Sequence, residues 1–260
     1  MKFTQKRLFV IFLFVVGAVF VYALITLTMQ TRQAQLIGEQ EQQPTQTKAP
    51  SVLQTPTASA SPIPTPIWSE QYPVHKNIYA TLFWVGEKAS GANDYIPNEA
   101  SAWNSLWLEN FGGIDNPYTR EGYFPKGFTP KENPFYFALP YNDFSNSGRK
   151  ASAAFIPWYY SDVSDTVSLL KNRWIKIKHK NEICYAQWED VGPFEEDDYD
   201  YVFLNKKPKN ERAGIDLSPS LKHCLKMATN GNVDWQFIDE VQVPDGPWKE
   251  IITTSQVNWR

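Results

Sequence analysis

The sequence predicts a mainly β domain preceded by one membrane-spanning helix and a linker. Three observations support this: an apolar run near the start, a Pro- and Thr-rich segment after it, and short alternating segments between turn residues from Trp68 onward. Alternation with a period of two is typical of half-buried strands. The chain therefore divides into a cytoplasmic tail at 1–7, a transmembrane helix at 8–28, a linker at 29–67 and an extracytoplasmic domain at 68–260.

The apolar run at residues 8–27 is interrupted only by Thr26. At 1.5 Å per residue a helix of this length extends about 30 Å, which spans the core of a bilayer. Three basic residues precede the run, so the positive-inside rule places the tail in the cytoplasm. A cleaved signal peptide is the alternative, but no small-x-small site follows the run. The prediction is an uncleaved, single-pass anchor in the cell membrane.

The linker at 29–67 is rich in Gln, Thr, Ser, Ala and Pro. Such a composition cannot bury enough apolar surface to offset the entropy lost on ordering. The repeated Pro-x-Pro pattern at Pro62–Pro66 favours an extended spacer that holds the domain away from the membrane. A flexible tether is the simpler alternative.

Composition and motifs exclude several classes of function. The net charge of -3 and the pI near 5.7 argue against a nucleic-acid partner. No Gly-x-Ser-x-Gly elbow or phosphate-binding glycine loop is present. The three histidines and two cysteines lack the spacing of zinc ligands, and the acidic run at 195–200 lacks that of a calcium loop. We therefore predict neither a metal nor a cofactor, and a solvated acidic loop.

The first elements of the domain are predicted from composition and periodicity. Residues 78–85 are rich in β-branched and aromatic side chains, which predicts a strand. Residues 99–111 predict a helix with one apolar face, made of Trp103, Leu106, Trp107 and Phe111. Both tryptophans are expected in the core rather than on a sugar platform. Residues 135–139 predict another strand, and the Gly-, Pro- and Asn-containing stretch at 87–134 predicts a long insertion.

The later elements begin with a hairpin. Residues 174–178 alternate cleanly and 183–188 return, with a turn at Asn181–Glu182 between them. Another strand ends at Ile215–Leu217, and a late strand is expected at 233–237.

A helix is predicted between the last two strands. Ser218 can cap its first amides, and Pro219 suits the first helical position, where a missing N–H costs nothing. We expect this helix to extend to about residue 227.

Cys184 and Cys224 are both predicted to point into the core. Cys184 shares a strand face with Ala186 and Trp188, and Cys224 lies on an apolar helix face. A disulfide is allowed outside the cytoplasm, but these positions do not require one. Two buried free thiols are the alternative.

Asp143, Asp190 and Asp216 each stand at a predicted strand end, where a barrel presents side chains to a groove. Burial beside Trp188 or Phe194 would raise the pKa of a carboxyl and make it a usable general acid. Asp190 is expected on the face of Trp188 if the strand stays extended. An aspartate at a turn often only accepts hydrogen bonds from turn amides, and this structural role is the alternative.

Two segments carry a resemblance to a known family. Asp190–Phe194, Asp-Val-Gly-Pro-Phe, resembles the Asp-Arg-Gly-Pro-Phe segment of the rare lipoprotein A family of lytic transglycosylases. Ile215–Ser218 is similar to that family's Ile-Asp-Leu-Ser, which also precedes a helix. Order and spacing agree over residues 172–237. Expansins and inverting endoglucanases on the same barrel have Phe-Asp-Leu at the place of Ile215–Leu217.

The resemblance implies a mainly β fold: a six-stranded double-psi β-barrel with short helices and a long insertion. It implies cell-wall polysaccharide, specifically peptidoglycan, as the partner. It also implies that Asp216 is the general acid, as in those endoglucanases, with Asp190 orienting the substrate or tuning the acid. Glu87 or Asp143 would then be the base. Apart from the resemblance, the aromatic side chains expected to line the substrate site are Trp158, Tyr159, Tyr160, Trp188 and Phe194. The first three follow Pro157 in a predicted loop, and burial of at least one of them is the alternative.

Departures from the family pattern leave a non-catalytic role open. No histidine matches the one that the transglycosylases carry before the first hairpin. Val85 stands where the endoglucanases have an aspartate base, and Val191 where the transglycosylases have arginine. The alternatives are an expansin-like carbohydrate-binding module and an envelope scaffold that binds a protein partner.

Overall fold

The computed structural model describes residues 68–91 and 93–259, which form a mainly β domain. The principal strands are β1 (His75–Leu82), β4 (Tyr136–Leu139), β7 (Trp174–His179), β8 (Glu182–Val191), β9 (Ile215–Leu217) and β10 (Gly231–Ile238). They close into a six-stranded mixed barrel in the order β1-β10-β7-β8-β4-β9. Two short hairpins lie outside it: β2 (Arg120–Glu121) with β3 (Phe124–Pro125), and β5 (Phe144–Ser145) with β6 (Gly148–Arg149).

The barrel has a twofold pattern of strand neighbours. Strands β1 and β9 pair in parallel, as do β4 and β8, whereas the other four neighbouring pairs are antiparallel. The pattern is unchanged when β1 is exchanged with β8, β4 with β9 and β7 with β10: every pair of neighbouring strands and its parallel or antiparallel direction is kept. Two interlocked three-stranded halves with this relation are compatible with a double-psi β-barrel.

The core fills the inside of the barrel. Alternate residues of the strands point inward, as the period of two requires. On β7 and β8 these are the residues that the hairpin pattern predicted: Ile175, Ile177, Cys184, Ala186 and Trp188, all fully buried. Trp235 and Phe237 of β10 complete an aromatic layer against Trp188, whose ring is 5.9 Å from that of Phe237.

A second apolar cluster covers the outer face of β4. Tyr136 and Ala138 of β4 pack there against residues of the insertion and of the segment after β1: Phe83, Val85, Trp107 and Phe111. The Tyr136 hydroxyl donates to Asp115 at 2.9 Å and accepts from the Val85 amide at 2.9 Å. Asp115 is in turn paired with Arg120. The insertion is thereby attached to the barrel through buried polar bonds as well as apolar contacts.

Helix α1 spans only Trp107–Phe111, so the predicted helix at 99–111 is wrong in its first half. There Ser101 Oγ accepts from the Trp103 and Asn104 amides, and Asn104 Oδ1 accepts from the Leu106 amide. These local side-chain bonds offer the backbone an alternative to a helix. Trp103 and Trp107 are nevertheless buried, as the apolar pattern predicted.

Two further helices are capped by side chains. Helix α2 (Tyr199–Leu204) begins after Asp198, whose carboxylate accepts from the Tyr201 and Lys209 amides. Asp198 is buried, so this part of the predicted solvated acidic run has a structural role. Helix α3 (Pro219–Cys224) begins after Ser218 and has proline in its first turn, as predicted, but it ends earlier than residue 227.

Substituting Ser218 by Ala is expected to lower the free energy of unfolding by about 1–3 kcal/mol. The Ser218 hydroxyl is fully buried, donates to the Pro134 carbonyl at 2.7 Å and accepts from the Leu221 and Tyr136 amides. Alanine would leave these backbone groups without that partner. Urea unfolding measures the change, and the exposed Ser161→Ala is the matched control. Equal midpoints for Ser218→Ala and Ser161→Ala would contradict the structural role.

Cys184 of β8 and Cys224 of α3 form a disulfide, with their Cα atoms 6.3 Å apart. The bond joins β8, the strand that contains Asp190, to the helix that follows Asp216. The structure thus pairs the two residues for which the sequence left both a bridge and free thiols open.

The predicted tail, transmembrane helix and linker lie outside the described residues. Within residues 68–91 and 93–259, no helix is long and apolar enough to cross a membrane.

Candidate functional site

A cleft of about 470 Å³ lies beside strands β1, β4, β8 and β9. Its lining comes from the ends of β1 and β8, the middle of β4 and β9, the insertion from residue 87 to 102, and the loop after β8 at residues 192–196. The volume is within the range of small-molecule sites. Three of the four carboxylates proposed from the sequence line it, namely Glu87, Asp190 and Asp216, together with Phe194.

Strand register places two of these carboxylates in one row. Asp216 on β9 is paired with Thr81 on β1 and with Ala138 on β4, and Ala138 is also paired with Asp190 on β8. The row therefore crosses four adjacent strands. With strands spaced by about 4.8 Å, the Cα atoms of Asp190 and Asp216 are about 10 Å apart. The twofold relation of the barrel makes Thr81 equivalent to Asp190, and Ala138 equivalent to Asp216.

A β-bulge at Glu189 decides where Asp190 points. Phe137 is paired with Trp188, and the next residue, Ala138, is paired with Asp190, so Glu189 is the extra residue. A bulge of this kind re-aims the side chain that follows it. Asp190 therefore leaves the inner face of Trp188, on which an extended strand would have put it, and lines the cleft with Ala138.

The bulge is held by a buried ion pair. Lys171 Nζ lies 2.8 Å from Glu189 Oε2, and both side chains are almost fully buried. Lys171 also donates to Ser255 Oγ at 3.1 Å. Burial raises the pKa of Glu189 to about 7, although the charge of Lys171 opposes this shift. Glu189 could not be recognised from the sequence, because an extra residue in a strand does not change the local pattern in a characteristic way.

Asp190 is anchored through one of its two oxygens. Asp190 Oδ1 accepts from the Ala102 and Val191 amides, both at 2.8 Å, whereas Oδ2 accepts from no described residue. Burial raises the pKa of Asp190 to about 7, against the effect of the two amides. The contact with Ala102 also attaches the insertion to the end of β8.

Asp216 lies partly exposed between the other two carboxylates. It accepts a hydrogen bond from Thr81 Oγ1, which lowers its pKa, but burial dominates and raises that pKa to about 6. A side chain on Gly192 would come within 3.8 Å of Asp216 Oδ2. Gly192 has φ +144°, a conformation that favours glycine, so this wall of the cleft stays open.

Glu87 is 7% exposed and accepts from Asn98 Nδ2 at 3.0 Å. Burial, followed by the negative charge of Asp216, raises the pKa of Glu87 to about 7. The charge of Asp216 also raises the pKa of Asp190. The raised pKa values bring these carboxyls towards neutral pH, where protonated and ionised forms coexist, so the cleft can present both a proton donor and a proton acceptor.

Phe194 forms one wall of the cleft and is 38% exposed. The guanidinium of Arg212 lies 3.9 Å from the centre of its ring and is paired with Asp94 of the insertion at 2.8 Å. This contact joins the loop after β8 to the insertion across one side of the cleft. Phe194 thus presents an aromatic surface to a ligand.

The fourth candidate carboxylate, Asp143, lies elsewhere. It is fully buried, pairs with Arg149 at 2.6 Å, and accepts from Ser168 Oγ and the Leu169 amide, both at 2.8 Å. It does not line the cleft. A fully buried carboxylate with all these partners has a structural role.

The other predicted aromatic residues are not in the cleft either. Trp188 is fully buried inside the barrel, so neither face of its ring can reach a substrate. Trp158 packs against the core and donates from Nε1 to the Leu169 carbonyl at 2.6 Å. Tyr159 and Tyr160 are exposed, and Tyr160 lines a separate pocket of about 220 Å³. Phe194 alone of the five lines the cleft.

Replacing Asp190 by Asn is expected to stabilise the fold above pH 7, on the order of 2 kcal/mol. The folded-state pKa of about 7 exceeds the unfolded value, so the folded wild type binds more protons and loses stability as pH rises from about 4 to 7. The asparagine side chain would keep an acceptor oxygen for both backbone amides without the buried charge. Urea unfolding at several pH values measures the difference, which should vanish near pH 4. A difference that does not change with pH would contradict it.

Within the described residues no group of three or more His, Cys, Asp and Glu side chains is arranged to hold a metal ion. No protein-family model matches the chain, and no curated protein sequence is significantly similar to it.

Proposed function

We propose that this is a membrane-anchored protein of the cell envelope, whose barrel binds cell-wall polysaccharide in the cleft and cleaves its glycosidic bonds. The observation that carries this proposal is the set of three carboxyls with raised pKa values in one cleft, beside an exposed aromatic ring. Glycosidic cleavage needs one carboxyl that donates a proton and one that accepts a proton. Peptidoglycan, as the specific polymer, rests on the resemblance of Asp190–Phe194 and Ile215–Ser218 to the lytic transglycosylases.

The electrostatic coupling within this set suggests the roles. Burial raises the pKa of Asp216 and the hydrogen bond from Thr81 opposes that rise, whereas the pKa of Glu87 is raised both by burial and by the negative charge of Asp216, so the shared proton is favoured on Glu87. Glu87 then donates its proton to the departing glycosidic oxygen. Asp216 takes a proton from the attacking water in hydrolysis, or from a hydroxyl of the same sugar in lytic cleavage. The resemblance instead makes Asp216 the donor, so the two assignments differ in a testable way.

Asp190 binds the substrate in this proposal. Its Oδ1 is held by two backbone amides, and its Oδ2 is left for a hydroxyl of the substrate. Its raised pKa keeps a fraction of Asp190 protonated at neutral pH, so the group can both donate and accept.

The test is release of soluble fragments from purified peptidoglycan by the full-length chain, analysed by chromatography and mass spectrometry. Release above that of heat-inactivated protein is expected. Hydrolysis adds one water to each product, whereas lytic cleavage gives anhydro products lighter by that water. The product masses therefore also identify the reaction.

A non-catalytic, expansin-like binding module is the second candidate. No histidine lines the cleft, and Val85, which stands at the place of the endoglucanase base, is fully buried and has no ionisable group. Co-sedimentation with insoluble peptidoglycan without fragment release would favour this module. Absence of both binding and release would favour the scaffold that binds a protein.

A further inference from the structure

A second pocket, of about 570 Å³, adjoins the cleft. We call it the Trp259 pocket, since Trp259 lines it together with residues of β5, β6 and their flanking loops. Ala102 and Glu196 line both the cleft and the Trp259 pocket. The two cavities therefore share a wall and lie side by side.

The shared wall is held in place by hydrogen bonds. The Glu196 carbonyl accepts from the Asn142 amide at 3.0 Å and from Lys150 Nζ at 2.8 Å. The Ala102 amide donates to Asp190 Oδ1 at 2.8 Å. Ala102 thus connects the Trp259 pocket to Asp190 of the cleft, and this hydrogen bond holds the pocket next to the carboxylates.

Trp259 offers an exposed indole on a rigid support. It is 55% exposed, and its ring meets that of Phe144 edge to face, at 5.6 Å between centroids. The adjacent Asn258 donates from its amide to the Trp103 carbonyl at 2.7 Å and accepts from the Ser105 amide at 2.9 Å. The axial C–H groups of a pyranose ring form an apolar face that packs on such an indole, while its hydroxyls stay in water.

The Trp259 pocket also contains an oriented amide. Asn142 Oδ1 accepts from Trp103 Nε1 at 3.1 Å and from the Phe144 amide at 3.0 Å. Asn142 Nδ2 donates to no described residue, although Asn142 lines the pocket. A fixed donor beside an aromatic surface is the combination that recognises a sugar: stacking on the ring and a hydrogen bond to a hydroxyl.

We propose that the Trp259 pocket is a further sugar subsite, which holds the part of the same polysaccharide chain that extends beyond the carboxylate cleft. This inference rests on the proposed function, because the occupant is the continuation of the glycan. It makes long chains the preferred ligand, since a short oligomer fills only one of the two cavities.

The test measures the affinity of the full-length chain for soluble peptidoglycan glycan oligomers of increasing length. Wild-type affinity should rise with length until both cavities are filled. Trp259→Ala should bind long oligomers about tenfold more weakly, because the stacking contact with the indole is lost, and short oligomers as wild type does. Trp259→Phe should restore most of the affinity. Tyr118→Ala is the matched control, because Tyr118 is 87% exposed and lines neither cavity.

Unchanged binding of long oligomers by Trp259→Ala would overturn the subsite and leave the proposed function intact. Equal weakening for short and long oligomers would also overturn it, since the loss would then not come from a distant subsite. Failure of the wild type to bind an oligomer of any length would overturn both proposals together.

Discussion

Asp216→Asn is expected to reduce release of peptidoglycan fragments by about 10²–10⁴-fold, the usual contribution of a general acid or base. Asparagine has the same shape and can still accept the hydrogen bond from Thr81, so binding to the insoluble wall should persist. The removal of the charge should also lower the pKa of Glu87, because that charge is one of the causes of its rise. The residual activity should therefore decline at a lower pH than the wild-type activity.

Asp245→Asn is the matched control for this experiment. It makes the same chemical change at a fully exposed carboxylate that does not line the cleft, and it should leave fragment release unchanged. If Asp216→Asn released as many peptidoglycan fragments as the wild type, the catalytic proposal would be contradicted.

An activated substrate separates the roles of Glu87 and Asp216. A glycoside with a good leaving group needs little proton donation, so it restores the rate of a variant that lacks the acid but not of one that lacks the base. We expect such a substrate to rescue Glu87→Gln and not Asp216→Asn. The reverse pattern would assign the donor role to Asp216, as the resemblance implies.

Loss of the Cys184–Cys224 disulfide is expected to lower the free energy of unfolding by about 4 kcal/mol, from the entropy of the chain that the bond closes. The two residues are separated by 40 positions, and the bond joins β8 to α3. Because these elements adjoin Asp190 and Asp216, the loss should also weaken fragment release. Urea unfolding of the Cys184→Ala, Cys224→Ala double variant measures the change in stability.

Reduction of the wild type provides the control for this prediction. Dithiothreitol should shift wild-type unfolding to a lower urea concentration and leave the double variant unchanged. Identical unfolding of oxidised and reduced wild type would contradict a stabilising disulfide.

Local patterns were sufficient for several elements of the barrel. The hairpin of β7 and β8 follows from alternation, since a period of two assigns Ile175, Ile177 and Trp188 to one face. The start of α3 follows from Ser218 and Pro219, because capping depends on adjacent residues. The first half of the helix predicted at 99–111 does not form, because hydrogen bonds accepted by the side chains of Ser101 and Asn104 compete with helical backbone bonds. Hydrophobic periodicity alone contains no information on such bonds.

The candidate site depended on contacts that no local pattern contains. Nothing in the sequence near Asp190 indicates that the Ala102 amide binds it, or that Glu189 is an extra residue that turns it toward Ala138. Nor does the sequence indicate that Trp259 lies in the pocket beside the cleft. It is placed there by the backbone hydrogen bonds of Asn258 to Trp103 and Ser105.

The sequence by itself determined the six strands of the barrel, though not the two short hairpins outside it. It also determined the start of α3, the apolar core positions of the barrel strands and two aspartates of the cleft, Asp190 and Asp216, because these depend on periodicity and on adjacent residues. Only the tertiary structure decided that Glu87 joins them, that Asp143 and Trp188 are enclosed, and that Cys184 is bridged to Cys224. Closure of the barrel brings together segments that are distant in the sequence, and it determines which polar groups become buried from solvent. Burial and neighbouring charge, the two causes of the raised pKa values, exist only after that closure.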